Sequence, residues 1–213
     1  LNVNSAVIPP AATGTVSETA ATSTALYTVV ATDADGTSAN NTLSYSLSGA
    51  DADLLTIDAV TGQVRLKAAA NFESKTSYSF NVIATDSGNL SSSQAVTVSV
   101  VDLNDNTAVI TSGATGSVNE NAATSTVIYT VVATDADSSA VHNMLTYSLS
   151  GADADLLTID AVTGQVRLKA AANFESKTSY SFNVIATDSG NLSSSKAVTV
   201  SVVDLNDNTA VIT

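Results

Sequence analysis

The chain has 213 residues, 44% hydrophobic and 13% charged, with 20 acidic against 7 basic side chains and a formal net charge of -13. This length suits one large domain or two of ordinary size, and the apolar content supports a packed core and excludes a disordered acidic tail. The charge repels nucleic acid and anionic membrane surfaces and fits a cationic partner, while the absence of cysteine excludes disulfides and thiolate chemistry.

No apolar run approaches the roughly 20 residues that span a bilayer. The chain opens on Leu1 with neither an initiator Met nor a basic leader, so it reads as an excerpt of a longer protein.

In chain order, a first strand is expected around Val16, followed by strands over 26–31, 43–47, 54–57, 64–67, 78–84 and 95–101. Each shows apolar residues alternating with polar or small ones, the period of a half-buried strand and not of a helix. The inward set is then Tyr27, Val29 and Ala31; Leu43, Tyr45 and Leu47; Tyr78, Phe80, Val82 and Ala84; and Val96, Val98 and Val100. Thr61-Gly62 and Ser87-Gly88-Asn89 stand where tight turns need a residue that tolerates positive φ. Seven strands of this kind make an all-β sandwich.

The same series then repeats without gaps. Tyr27 falls on Tyr129, Asp33 on Asp135, Glu73 on Glu175 and Asp102 on Asp204, a spacing of 102 residues, and the two copies are identical from Tyr45 to Ser93. A period near 100 residues is that of an immunoglobulin-like sandwich in tandem. The domains are expected at 1–106 and 107–213, and scraps of the same register at both ends (LNVN, and TAVIT after Asn208) suggest that the array continues both ways.

The acidic residues gather at strand ends: Asp33 and Asp35 in ATDADG, Asn71 to Glu73 in NFE, Asp86 in IATD, and Asp102 to Asn106 in DLNDN, each with its counterpart in the second copy. Taken singly, each has a turn-forming reading, since Asp and Asn bond to nearby backbone. Taken in order, with a Glu soon after the first strand (SVNENA, Glu120), VVATDAD, YSL, IDAVTGQV, NFE, VIATD and DLNDN, they resemble a cadherin repeat over nearly all of each copy.

That resemblance implies two tandem seven-stranded Greek-key sandwiches with about three calcium ions at the hinge. The implied ligands are Glu18, Asn71 and Glu73 from the first copy, and Asn104 and Asp105 by side chain with Leu103 and Asn106 by carbonyl from the linker. The second copy gives Asp135, Asp137 and Asp188 by side chain and Asn143 by carbonyl. Calcium takes 6 to 8 oxygen ligands. The six carboxylates of this set would balance three divalent ions, and without metal they repel at close range.

This sequence departs from the family in Asn71 and Asn173, where Asp is usual, which weakens the outermost ion. It has no Trp for strand exchange, and its near-identical, Ala-, Ser- and Thr-rich copies are similar to arrays of large bacterial surface adhesins. At the chain ends, Asp33, Asp35 and Asp86 meet a linker in which Val3 replaces Asp, and Glu120, Asn173, Glu175 and Asp207 lack a downstream repeat, so partial occupancy is expected.

The implied function is a calcium-rigidified extracellular spacer at a cell surface, partnered by neighbouring repeats, with no nucleic-acid partner and no membrane insertion. The alternative is a carbohydrate- or protein-binding module, homophilic or glycan-directed, which 5% aromatic content favours less. An enzyme is not expected: the sole histidine, His142, lies in a polar loop and is replaced by Asn40 in the other copy.

Overall fold

The structure is a computed structural model that describes residues 3–9, 12–35, 41–137 and 139–208. The chain divides into two compact units, Leu1–Leu103 and Asn104–Thr213.

In the first unit the strands are β1 (Ala12–Ser17), β2 (Tyr27–Thr28), β3 (Ser44–Ser48), β4 (Leu55–Ile57), β5 (Gln63–Leu66), β6 (Ser77–Thr85) and β7 (Ser91–Val101). They form a four-stranded sheet in the order β1-β7-β6-β3 and a three-stranded sheet in the order β2-β5-β4. Among the described residues of this unit only β1 and β7 pair in parallel, Val16 opposite Val100. Tyr78, Phe80, Val82 and Ala84 of β6 and Val96, Val98 and Val100 of β7 face the core, which Val64, Leu66 and Leu55 close from the other sheet. Burying each such side chain contributes roughly 1.5–3 kcal/mol, enough to hold a sandwich with no disulfide.

The second unit repeats this plan with β9 (Thr115–Asn119), β10 (Val127–Thr130), β12 (Thr146–Ser150), β13 (Leu157–Ile159), β14 (Gln165–Leu168), β15 (Ser179–Thr187) and β16 (Ser193–Val203). It adds a short antiparallel pair, β8 (Val109–Ile110) with β11 (Ala133–Thr134). Nine strands therefore stand among its described residues where seven were expected. The leading segment pairs first with β11, then crosses Thr111 to Ala114 and joins β16 in parallel as β9. In the first unit the matching contact is the single bridge between Val7 and Thr32.

A second difference concerns the strand around Tyr27. Ile128 and Tyr129 are both buried, because β10 shifts register between Val127 and Tyr129. Leu26 is likewise buried beside a half-buried Tyr27. Strict alternation puts one of two neighbours inward, whereas a bulge turns both toward the core.

Both turn expectations hold, with one adjustment. Gly62 and Gly164 have φ of 67° and 66°, but in the turn after β6 the positive φ falls on Asn89 (66°) and Asn191 (67°), not on the preceding glycine.

Candidate metal centres

Each unit carries acidic groups at the ends of its strands. In the first unit Glu18 directly follows β1 and is only 2% exposed. Its Oε2 accepts from the Phe72 N–H and its Oε1 from the Leu103 N–H, both at 2.7 Å. One carboxylate thus ties the end of β1 to the loop before β6 and to the chain leaving β7. Glu73 and Asp102 bring carboxylate oxygens within 4.8 Å of it and of each other.

The second unit builds the same cluster from Glu120, Glu175 and Asp204. The Glu120 oxygens accept from the Leu205 N–H at 2.6 Å and the Phe174 N–H at 2.9 Å. Those two backbone donors, Leu205 first, hold its carboxyl below the ordinary range, since both bonds favour the charged form.

Asn71 lies two residues before Glu73, and its side-chain oxygen caps a turn. Oδ1 accepts from the Ser74 N–H at 2.7 Å while its carbonyl accepts from the Lys75 N–H at 3.0 Å. Asn173 does the same with Ser176 at 2.8 Å and Lys177 at 2.9 Å.

A second kind of cluster comes from Asp135 and Asp137, which follow β11, and Asp188, which follows β15. Their ligand oxygens lie within 4.8 Å of one another. The Asp137 N–H donates to Asp135 Oδ1 at 3.0 Å. Asp137, 1% exposed, accepts from Asn106 Nδ2 at 2.9 Å and from the Asn106 N–H at 3.4 Å. Asp188 Oδ1 accepts from the N–H groups of Gly190 and Leu192 at 2.8 and 2.9 Å. Turned so that its oxygen meets donors and its nitrogen meets acceptors, the Asn104 amide donates to Asp188 Oδ2 at 2.9 Å and accepts from the Gly190 N–H at 3.1 Å. A Cβ on Gly190 would come within 2.7 Å of that amide, so a larger residue would have to displace the Asn104 side chain.

The first unit repeats this arrangement with Asp33, Asp35 and Asp86, Asn4 bonding Asp35 at 3.0 Å as Asn106 bonds Asp137. In both units one feature is left over. Asp135 Oδ2, Asp33 Oδ2 and Asp86 Oδ2 are buried with no hydrogen-bond donor among the described residues. A buried acceptor without a donor is costly, and three carboxylates within 4.8 Å repel each other. A divalent cation of the oxygen-seeking kind, such as calcium, relieves both at once.

Of the remaining expected ligands, Asp105 is exposed and accepts from Asn106 Nδ2 at 3.0 Å. Asn143 is exposed and donates its N–H to the Ser139 carbonyl at 3.1 Å. Asp102 and Asp204 gather with the other acidic residues at the strand ends, as the sequence suggests, but stood outside the expected ligand set. The signal was present: the inward register Val96, Val98, Val100 leads on to Asp102.

No helix among the described residues is long and apolar enough to cross a membrane. Residues 12–101 and 114–203 each match the cadherin domain family. The chain is 35% identical to mouse protocadherin Fat 4 over 199 residues, which is 91% of this chain and 4% of that protein. It is 30% identical to human protocadherin-11 X-linked over 187 residues, 86% of this chain and 14% of that one. Among solved structures it superposes on mouse cadherin-23 EC22-24 with a TM-score of 0.85 at 27% identity, covering 96% of this chain and 66% of that one. For extracellular cadherin domains 1-4 of protocadherin gamma B7 the TM-score is 0.83 at 26% identity, covering 98% and 53%.

Proposed function

The chain belongs to the cadherin family, and from that premise we propose that it is a calcium-binding spacer in the extracellular part of a larger adhesion protein. Tandem cadherin domains are adhesion modules and not enzymes. We assign calcium to the acidic groups at the strand ends, through Glu18, Asn71, Glu73, Leu103, Asn104, Asp105, Asn106, Asp135, Asp137, Asn143 and Asp188, with the linker 103–106 counted to the first repeat. The observation that carries this reading is Asp135 Oδ2, a buried carboxylate oxygen with no donor among the described residues, matched in the other copy by Asp33 Oδ2 and Asp86 Oδ2.

The near identity of the two copies and their small-residue composition favour a long repetitive array, of the kind that large bacterial surface adhesins carry. The curated relatives named above are animal protocadherins. In either setting the immediate partners of a repeat are its neighbours in the same chain.

A thermal melt in calcium and in chelator tests the calcium assignment. An ion that binds only the folded state stabilises it by linkage, by about 2.7 kcal/mol at one hundred times the dissociation constant. The melting temperature should rise as calcium passes about 0.1–1 mM, the range of extracellular calcium modules. A melting temperature indifferent to calcium overturns the assignment.

A further inference from the structure

We infer that Asn89, in the turn from β6 to β7, and Asn191, in the turn from β15 to β16, carry N-linked sugar. This rests on the extracellular placement proposed above and is independent of the calcium assignment.

An Asn followed two residues later by Ser or Thr, with no proline between, is the acceptor sequence for such a sugar in an exported protein. Of the asparagines in the chain, Asn40, Asn89 and Asn191 meet it. Asn40 lies outside the described residues, and its counterpart in the second copy is His142. Asn89-Leu90-Ser91 and Asn191-Leu192-Ser193 recur at the 102-residue spacing of the repeat.

The turn does not need the amide. Asp86 Oδ1 accepts from the Gly88 and Leu90 N–H groups at 2.8 and 2.9 Å. The Asn89 N–H donates to the Asp86 carbonyl at 3.1 Å, and the Asp86 N–H to the Leu90 carbonyl at 3.0 Å. These bonds hold the turn without the Asn89 side chain. Its φ of 66° asks for a residue that tolerates the left-handed region, which glycine does at least as well as asparagine. The turn thus accounts for the backbone and not for the carboxamide. Asn89 and Ser91 are both exposed, with Ser91 opening β7. The second turn has the same bonds around Asp188, with φ of 67° at Asn191 and with Asn191 and Ser193 exposed. Asn71, by contrast, uses its side-chain oxygen to cap a turn and has Glu73 two residues on.

The substrate class is a glycosyl diphosphate, the form in which cells hold activated sugar on a lipid or on a nucleotide. Asn Nδ2 forms a bond to the anomeric carbon, and the bond from that carbon to the diphosphate oxygen breaks. The diphosphate leaves with the electron pair, and one amide proton passes to solvent. The sugar then stands three residues from Asp86 or Asp188, whose carboxylates remain buried in their clusters.

Peptide mass mapping of the protein recovered from the surface of the cells that make it tests the inference, with Gln94 against Lys196 telling the two peptides apart. Both should carry sugar, an oligosaccharide marking the lipid donor and a single hexose the nucleotide donor. Ser91→Ala should lose the sugar at Asn89 completely and keep it at Asn191, while Ser91→Thr should keep both. Bare asparagines at both positions of the surface protein, or sugar on the Asn89 peptide that survives Ser91→Ala, overturn the inference and leave the extracellular reading standing. Protein confined to the cell interior overturns both.

Discussion

Asp51 shows how a repeated residue becomes a repeated dependence on pH. Its Oδ1 meets Lys75 Nζ at 2.8 Å and its Oδ2 accepts from the Ser79 N–H at 2.7 Å. The Lys75 contact first, then the backbone donor, holds its carboxyl below the usual value. Asp153 with Lys177 and Ser181 has the same arrangement and the same displacement. A carboxyl depressed in the folded state stabilises the fold above its unfolded pKa of about 4, and that stability is lost as pH falls through the folded value. Both lysines are partly exposed, so solvent screening limits each pair to about 1 kcal/mol or less. Urea titrations in chelator should show unfolding free energy falling below about pH 4, with a shallower fall in the Asp51→Asn, Asp153→Asn double variant. Identical pH profiles for the two proteins would refute this role.

At the scale of elements, the carboxylates continue the strands that carry them. Along β1 the inward register passes from Val16 to Glu18, and along β6 from Val82 and Ala84 to Asp86. The alternation that fills the core runs one step past the strand end and aims an acidic group there. This is why most of the core and most of the acidic clusters were legible from residue types alone. What was not legible has local causes. The bulge at Tyr129 turns two neighbours inward, and the crossover from β8 to β9 splits one strand into two without disturbing any apolar pattern.

Glu18 gives the element scale its test, since it joins the end of β1 to the exit of β7. In Glu18→Gln the amide can accept only one of the Phe72 and Leu103 N–H groups and sets its NH2 against the other. A buried charge-assisted bond is lost and a donor stranded, which costs about 2–3 kcal/mol. The exposed Glu73→Gln should change stability by less than about 0.5 kcal/mol. Denaturation in chelator isolates this from metal binding, and equal losses for the two variants would contradict the tie.

For the whole molecule, the sequence and the structure agree on a chain that repeats one sandwich, has no cysteine, and carries 20 acidic side chains against 7 basic ones. The carboxylates of each acidic cluster repel one another, and a bound cation offsets that repulsion. The central claim, a spacer made stiff by calcium, is tested most directly by small-angle scattering across a calcium titration from chelator upward. The account predicts that the maximum dimension of the particle grows and its distribution narrows as calcium passes about 0.1–1 mM. Scattering profiles that superimpose in chelator and in saturating calcium would contradict it.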